Sequence, residues 1–357
     1  MVIMEKAATK EQITDVIEEI KRHGLRVDVS QGEFRTIIGL IGDESKISFT
    51  NLALMPGVKE ARMVETPYKL ISRDYSELFI NKNECRIVKV GDVRIGGDEP
   101  VYMAGPCAVE SREQVFRIAK EVKAAGAQIL RGGIYKPRSS VHSFQGLGSQ
   151  GEAEAREALE WLRAAGREYG MPVMTEVRGE SQTELIAEYV DIMQIGARNM
   201  YDQDLLSRVG RTGKPVLLKR HFGASVEEFL SFSEYIVAEG NKDVILCERG
   251  IVPVGKGNSY TRYTLDLGAV PVIRKETYLP IIVDPSHAAG RRDLIFDMSC
   301  AAIAVGANGL VIESHYNPKE AIVDGKQMIT PDELKDVIDA SRQISKIITP
   351  YKKKQTD

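Results

Sequence analysis

Short apolar runs rich in β-branched residues recur from about residue 99 and alternate with stretches of helical periodicity. Eight such runs are present, namely VYMAGPC, QILRGG, PVMTEV, DIMQIG, PVLLKR, VILCERG, PIIVDPS and GLVIESH. Continuous apolar runs of this length between helices are typical of parallel strands buried on both faces. Eight of them predict a closed (β/α)8 TIM barrel. A doubly wound open sheet is the alternative, but no strand is followed by the Gly-rich dinucleotide-binding fingerprint that would support it.

Helices are predicted between most of these runs, most clearly over residues 113–125, 152–169 and 225–238. The last helix is expected over residues 331–348, with Thr330 as its cap and a proline in its first turn.

The first 75 residues follow a different order. Their pattern predicts strand, helix, strand, strand, helix and strand at 2–4, 10–23, 25–29, 36–41, 45–55 and 58–64. This βαββαβ order is the ferredoxin-like split motif. A short hairpin is expected at 86–95. The predicted α/β chain therefore has three parts: a ferredoxin-like domain at 1–75, a linker and barrel-capping hairpin at 76–98, and a catalytic (β/α)8 barrel at 99–350.

Composition excludes several classes of protein. The chain has 357 residues, of which 43% are hydrophobic, so it can bury a large core. Its net charge of -3 predicts no long basic face for binding nucleic acid. No apolar run approaches the roughly 20 residues of a membrane span. The first residues show no signal-peptide pattern, and four widely spaced cysteines do not suggest a disulfide framework. We expect a cytoplasmic protein with neither nucleic-acid nor membrane partners.

The loop RGGIYKPRSSVHSFQGLG at 131–148 places cations among glycines directly after an apolar run. Arginine forks and lysine charges suit phosphate and carboxylate oxygens, and glycine lets backbone amides approach an anion closely. Six candidate cations are expected on one face of the barrel: Arg131, Lys136, Arg138, Arg198, Lys219 and Arg249. This number predicts substrates that carry two phosphates and a carboxylate between them.

Each apolar run ends in reactive or anion-binding residue types. In chain order these are Cys107, Arg131, Glu176, Arg198, Lys219 with Arg220, Glu248 with Arg249, Asp284 with His287, and Glu313 with His315. The C-terminal ends of barrel strands converge on one face, where barrel enzymes keep their sites. Any one of these residues could form a structural ion pair at a strand end, but eight together favour a ligand site.

Three of these residues also suggest a metal centre, with Asp324 as a fourth candidate. A thiolate, an imidazole and carboxylates (Cys107, His287 and Glu313) suit one divalent ion such as Mn²⁺, Fe²⁺, Co²⁺ or Zn²⁺. The residues are far apart in sequence, so spacing alone does not decide the matter. A small buried hydrophobic role for Cys107 is the alternative.

Several motifs together resemble the 3-deoxy-D-arabino-heptulosonate 7-phosphate (DAHP) synthases, in the short form that has an N-terminal ferredoxin-like (ACT-like) regulatory domain. They are AGPCAVE, RGGIYKPRSS with SFQGLG, QIGARNM, LLKR, CERG, TLD, VDPSH and GLVIESH followed by DG. The resemblance covers nearly the full length. It implies condensation of phosphoenolpyruvate with erythrose 4-phosphate, the first step of the shikimate pathway to aromatic amino acids, with release of phosphate.

The resemblance also implies a role for each site residue. Cys107, His287, Glu313 and Asp324 would hold the metal. Phosphoenolpyruvate would be bound by Arg131, Lys136, Arg198, Lys219 and Arg249. The phosphate of the aldose would lie against Pro137, Arg138 and Ser139. The catalytic set would be Lys136, Cys107, His287 and Glu176. As a hypothesis from the chemistry, Lys136 donates a proton to the new alkoxide because it is a charged donor beside both substrates, and Glu176 orients a water molecule.

Departures from the family pattern fall at the aldose end of the pocket. Ser139 stands for a usual threonine, Val141 and His142 for a Pro-Tyr pair, Phe222 follows His221 where a glycine is common, and Tyr263 replaces a common asparagine. A related synthase that uses a five-carbon aldose phosphate, of the octulosonate 8-phosphate type, therefore remains an alternative. The others are a non-catalytic sugar-phosphate sensor and an aldolase with a Schiff base on Lys219, which would leave the metal set without a purpose.

The first domain has two interpretations. As a regulatory domain it would bind tyrosine or phenylalanine as a feedback inhibitor between subunits of a homotetramer, with Ser30, Gln31 and Gly32 as candidate contacts. As a structural module it would only add subunit contacts.

Overall fold

The chain forms two compact units, Met1–Glu84 and Cys85–Asp357. The computed structural model describes residues 1–31, 36–63, 67–73, 85–136, 142–253 and 260–354. Among them, no helix combines the length and the apolar character that crossing a bilayer requires.

The first unit has the predicted βαββαβ order. Its elements are β1 (Val2–Met4), α1 (Lys10–Arg22), β2 (Arg26–Gln31), β3 (Thr36–Ile41), α2 (Phe49–Ala53) and β4 (Val58–Ala61). The antiparallel sheet has the strand order β2-β3-β1-β4. Helix α1 begins in a capping box, in which Thr9 accepts from the backbone of Gln12 and the Gln12 side chain accepts from the backbone of Thr9. The ferredoxin-like prediction is confirmed.

Two predicted boundaries in this unit are wrong. The helix expected over 45–55 is a 3₁₀ turn at Glu44–Lys46 followed by the short α2. Ser48 interrupts it, because its side chain accepts from the backbone of Asn51 and starts a new helix at Phe49. The last strand ends at Ala61 rather than residue 64.

The second unit is a closed barrel of eight parallel strands, as predicted. They are β7 (Val101–Gly105), β8 (Ile129–Arg131), β9 (Val173–Val177), β10 (Ile192–Ile195), β11 (Val216–Lys219), β12 (Val244–Glu248), β13 (Ile281–Val283) and β14 (Gly309–Glu313). The barrel closes where β14 pairs with β7 in parallel. Every residue of these strands is buried, which explains why their sequences are continuous apolar runs rather than alternating ones.

The helices of this unit include those predicted. They are α3 (Arg112–Ala125), α4 (Glu152–Glu168), α5 (Thr183–Tyr189), α6 (Gln203–Arg211), α7 (Val226–Ala238), α8 (Ala269–Glu276), α9 (Pro285–Ala289), α10 (Ile295–Ala304) and α11 (Pro331–Lys354). Helix α11 does not end at residue 348 as expected but continues through Pro350. A proline this near a helix end removes one backbone hydrogen bond without stopping the helix.

A hairpin of β5 (Val88–Val90) and β6 (Val93–Ile95) lies at the N-terminal end of the barrel. Its buried side chains Val88, Val90 and Ile95 pack in one cluster with residues near the starts of the barrel strands, including Val101 and Ile129. The hairpin therefore closes this end with apolar contacts. The opposite end, where the strands finish, carries the polar side chains.

Candidate active site

The C-terminal ends of the strands bring four of the predicted cations into the barrel mouth. Arg131 ends β8, Lys219 ends β11, Arg249 follows β12, and Lys136 lies in the loop after β8. Each has 6% or less of its surface exposed. Burying four cations in one mouth is costly unless carboxylates or bound anions compensate them.

A group of possible metal ligands lies in the same mouth. Single ligand atoms of Cys107, Glu313 and Asp324 all lie within 4.8 Å of one another. The Cys107 Sγ donates to Asp324 Oδ2 at 3.2 Å. Asp324 has a φ of 54° and is the only non-glycine residue with a positive φ in the described parts of the chain. Such backbone conformations are sparsely populated and cluster at functional sites.

Glu313 is the centre of this group. Its Oε1 accepts from Arg131 Nη1 at 2.8 Å, and its Oε2 accepts from Gln327 Nε2 at 2.6 Å. Burial favours the neutral acid, but the adjacent His287 ring and the charges of Arg131 and Lys136 outweigh it and hold the pKa of Glu313 below its usual range. The carboxylate is therefore ionised and oriented by partners on two sides.

His287 lies next to this group without joining it. Its Nε2 is 3.5 Å from Glu313 Oε1, but the 4.8 Å group of mutually close ligand atoms does not include it. On the other side of the ring, Nδ1 is 2.7 Å from Asp284 Oδ2. Burial lowers the pKa of His287 despite the two carboxylates beside it. A neutral ring held at Nδ1 by a carboxylate presents Nε2 as a ligand atom.

Asp284 joins this histidine to the substrate cations. Its Oδ2 also accepts from Lys219 Nζ at 2.5 Å, and its Oδ1 caps α9 by accepting from the backbone of His287 at 2.9 Å. Burial raises its pKa, but His287 and Lys219 outweigh burial and lower the pKa well below its usual range. One buried carboxylate thus fixes a candidate metal ligand and a candidate anion-binding lysine together.

The donor set fits a borderline divalent metal ion. A thiol, two carboxylates and a nearby imidazole offer both soft and hard donors, the mixture that suits such ions better than Mg²⁺ or Ca²⁺. Burial raises the pKa of the Cys107 thiol above its usual range. A bound cation would reverse that effect, because coordination deprotonates a thiol.

Lys136 and Glu176 lie close to this centre. Burial lowers the pKa of Lys136, but its acidic neighbours, among them the Glu313 and Glu176 carboxylates, more than offset it, so the ammonium form is favoured. Glu176 Oε2 accepts from Gln194 Nε2 at 3.2 Å. A Cβ atom at Gly196 would lie 2.0 Å from Glu176 Oε1, so any larger residue there would displace the carboxylate from this position.

Two buried guanidinium nitrogens lack a hydrogen-bond partner among the described residues: Arg131 Nε and Arg249 Nη1. Arg220 is equally buried but is satisfied by Glu248 Oε2 and Asp266 Oδ2, each at 2.9 Å. Since buried donors are normally paired and a buried cation needs a counter-charge, these two nitrogens favour an anionic ligand.

Other predicted residues are not part of this buried cluster. Arg198 lies in a 3₁₀ turn after β10, and its side chain is exposed. Pro137, Arg138 and Ser139 lie outside the described residues, as do Val141 and Gly32. No sequence signal indicated Gln327, which only the fold brings to Glu313. Asp284 had a local signal, because an aspartate before Pro285 and three residues before His287 is a typical helix cap.

Comparison with known proteins accounts for both units. Residues 77–349 match the family model described as DAHP synthetase I family. Residues 1–66 match the model described as DAHP synthase ferredoxin-like domain.

Three relatives extend this result. The chain is 44% identical over 345 residues to phospho-2-dehydro-3-deoxyheptonate aldolase from Thermotoga maritima, which covers 97% of each chain. A crystal structure of that aldolase (DAHP synthase) from Thermotoga maritima has a TM-score of 0.75 at 43% identity and covers 98% of this chain and 97% of its own. A 2-dehydro-3-deoxyphosphooctonate aldolase from Syntrophobacter fumaroxidans is 28% identical over 271 residues, covering 71% of this chain and 90% of the relative.

Proposed function

Since the chain belongs to the DAHP synthetase I family and is an enzyme of that family, we propose that it condenses phosphoenolpyruvate with erythrose 4-phosphate. The products are DAHP and inorganic phosphate. The observation that carries this proposal is the barrel mouth itself, where buried arginines with unpaired donors lie beside a cysteine and carboxylate group. A highly charged anion and an electrophile can be held side by side there.

Phosphoenolpyruvate is the anion that suits the buried cations. Arg131 and Arg249 each have a donor atom free for its phosphate or carboxylate oxygens, and Lys136 and Lys219 add charge. Arg198 is exposed at the end of β10 and would reach the anion from the rim. We propose that the reacting double bond lies near Lys136.

Cys107, Glu313 and Asp324 would hold a divalent metal ion, with His287 as the fourth ligand supported by Asp284. When bound, that ion supplies Lewis acidity toward the aldehyde oxygen of the second substrate. We propose Mn²⁺, Fe²⁺, Co²⁺ or Zn²⁺ on the basis of the mixed donors.

The protein's own residues then account for the proton transfers. C3 of phosphoenolpyruvate forms a bond to the aldehyde carbon, and Lys136 donates a proton to the oxygen that becomes an alkoxide. Water, oriented by Glu176, adds at C2 and gives one proton to the Lys136 amine, which restores its ammonium form. The bond between C2 and the phosphate oxygen then breaks, the C2 hydroxyl proton leaves with the phosphate, and the ketone remains. Lys136 suits its role because it is a buried ammonium group beside Glu176 and Glu313.

Erythrose 4-phosphate is preferred over a five-carbon aldose. Identity is 44% to a heptonate aldolase but 28% to an octonate aldolase, and residues 1–66 match a DAHP synthase domain. We propose that Arg138 and Ser139, with Pro137, bind the aldose phosphate. Neither the octulosonate-type synthase nor the non-catalytic sensor is favoured.

The first domain is proposed to regulate the enzyme. We assign residues 1–75 to a domain that binds tyrosine or phenylalanine and inhibits a homotetramer, and the family match over residues 1–66 supports it. Deletion of residues 1–84 removes the first compact unit and leaves the hairpin that closes the barrel. We expect the deletion to stay active and to lose inhibition, so inhibition that persists would refute this role.

The activity is tested by mixing metal-loaded protein with phosphoenolpyruvate and, separately, erythrose 4-phosphate, arabinose 5-phosphate or ribose 5-phosphate. Loss of the enolpyruvate absorbance is followed with and without a chelator. We expect chelator-sensitive consumption with erythrose 4-phosphate. Consumption only with a five-carbon aldose would overturn the substrate assignment. Consumption that resists the chelator would overturn the proposed metal dependence. No consumption in any mixture would contradict the proposed activity.

A further inference from the structure

The side chain of Arg249, the residue directly after β12, packs against an aromatic ring. Its guanidinium carbon lies 4.4 Å from the centre of the Tyr263 ring. Arg249 is 6% exposed and its Nη1 has no hydrogen-bond partner among the described residues. A cation over an aromatic face is attracted by the ring quadrupole, and the attraction is larger when the cation is desolvated. The ring therefore contacts the cation without using the donor that a ligand needs.

The Tyr263 ring is itself held in place by further rings. It stacks on Phe222 with ring centres 5.4 Å apart and planes 19° apart. Phe222 lies against His221 at 4.1 Å, and His221 lies against Tyr201 at 4.9 Å. Offset and tilted contacts at these distances are favourable. A row of four rings thus leads from the surface of the barrel to Arg249.

The backbone fixes Tyr263 from two directions. Its N–H donates to the carbonyl of Ala288 in α9 at 2.9 Å. The next residue, Thr264, pairs with Ile251 in an antiparallel bridge. Gly250, with a φ of 94°, leaves room for this approach, because a Cβ atom there would lie 2.7 Å from Tyr263 Cβ. These contacts fix the backbone from which the Tyr263 ring projects toward Arg249.

We propose that Tyr263 is a positioning residue for the anion site: its ring holds the Arg249 guanidinium in the orientation that receives phosphoenolpyruvate. The inference rests on the proposed function, in which Arg249 binds that substrate. An arginine held by carboxylates, as Arg220 is, would have its donors occupied. An arginine held by a ring keeps them available.

The test compares rings of equal shape and different electron density at residue 263. Tyr263→Phe keeps the ring face and should bind phosphoenolpyruvate within about 2-fold of wild type. Pentafluorophenylalanine at the same position reverses the quadrupole with little change in shape. It should weaken binding by about 5- to 30-fold in calorimetry on the full-length, metal-loaded protein. Tyr263→Leu should weaken phosphoenolpyruvate binding similarly.

A double-mutant cycle identifies the cation involved. Arg262 also lies near the ring, with its guanidinium carbon 5.7 Å from the ring centre. In an Arg249→Met background, Tyr263→Leu should weaken phosphoenolpyruvate binding by less than about 2-fold, because the cation that contacts the ring is already removed. In an Arg262→Met background the full loss should remain.

The outcomes separate this inference from the function on which it rests. If wild type fails to bind phosphoenolpyruvate, both are overturned. If wild type binds it and the fluorinated ring binds it equally well, the positioning role is wrong and the proposed function stands. If the coupling follows Arg262 instead of Arg249, the assignment of Arg249 as the positioned cation is overturned.

Discussion

The two ends of the barrel are built from opposite kinds of side chain, although the same eight strands supply both. At the N-terminal end, Val88, Val90 and Ile95 of the hairpin pack on the starts of the strands. At the C-terminal end, Arg131 and Glu313 are paired in a mouth where both are almost fully buried. Apolar burial stabilises a fold directly, whereas buried charges stabilise it little even when paired. One end therefore maintains the barrel and the other is available for chemistry.

Within the catalytic end, two neighbouring arginines show the same contrast on a smaller scale. Arg220 is bound by Glu248 and Asp266, and its Nε donates to the carbonyl of Ala224 at 3.0 Å. Arg249 lies on Tyr263 and keeps a buried donor without a partner among the described residues. Burial alone thus does not distinguish a structural cation from a ligand-binding one. The groups that contact the guanidinium distinguish the two.

Lys136→Ala should have the largest effect on the catalytic end. We expect turnover to fall by about 10²- to 10⁴-fold, because the alkoxide loses its proton donor. The control is Lys214→Ala, which removes a lysine from the opposite end, where its Nζ donates to the carbonyl of Val190. That variant should keep wild-type turnover. Steady-state assays decide the question, and normal turnover in Lys136→Ala would exclude the acid role.

Ile95→Ala should have the converse effect at the apolar end. Removing this fully buried side chain should lower the free energy of unfolding by about 2–5 kcal/mol with KM values unchanged. Urea unfolding followed by Trp161, the single tryptophan, reports on the barrel through α4. Val272→Ala is the control, because this side chain is 45% exposed and should cost about 0.5 kcal/mol or less. Equal losses for both variants would contradict the role given to the hairpin.

Asp284→Asn tests whether one carboxylate serves both the metal and the substrate. An amide at this position loses the charge that orients His287 and pairs with Lys219. We expect metal affinity to fall about 10- to 100-fold and phosphoenolpyruvate KM to rise. Asp266→Asn alters a carboxylate at the same end that pairs with Arg220 and should leave metal affinity nearly unchanged. Metal titrations that give the same affinity for Asp284→Asn and wild type would rule out the support role.

Glu333→Gln should have the smallest effect, a small loss of stability, because Glu333 has a structural role only. Glu333 Oε2 accepts from the Thr330 backbone at 2.8 Å at the start of α11, and Oε1 accepts from Arg292 Nε. Burial raises its pKa, but Arg292 and Thr330 outweigh burial and lower the pKa below 4.5. Its stabilisation is therefore present above about pH 4.5 and is lost as the pH falls through the folded-state pKa.

Glu333→Gln should lower the free energy of unfolding by about 0.5 kcal/mol at pH 7. The effect is small because the side chain is 40% exposed. Unfolding of variant and wild type should converge in acid, while turnover stays unchanged. Glu160→Gln, an exposed glutamate within α4, is the control without a cap. A difference between Glu333→Gln and wild type that persists unchanged below the folded-state pKa would disprove the assignment.

Local pattern was sufficient for the architecture and insufficient for some boundaries. The eight apolar runs predicted the eight barrel strands, because strands buried on both faces are mostly apolar and do not alternate. The helix expected at 45–55 failed because a single hydroxyl, that of Ser48, starts a new helix within an otherwise periodic stretch. The predicted end of α11 at residue 348 was also wrong, because a proline near a helix end does not stop the helix.

The sequence by itself determined the two folds, the family and the residue types at the strand ends, since each is written in consecutive residues or in compact motifs. Only the tertiary structure decided which of those residues meet. It brought Gln327 to Glu313, joined Lys219 to His287 through Asp284, and separated exposed Arg198 from the buried cations. These contacts depend on barrel closure and on the paths of the connecting loops. Two side chains far apart in sequence come within hydrogen-bond distance only when the whole fold fixes both.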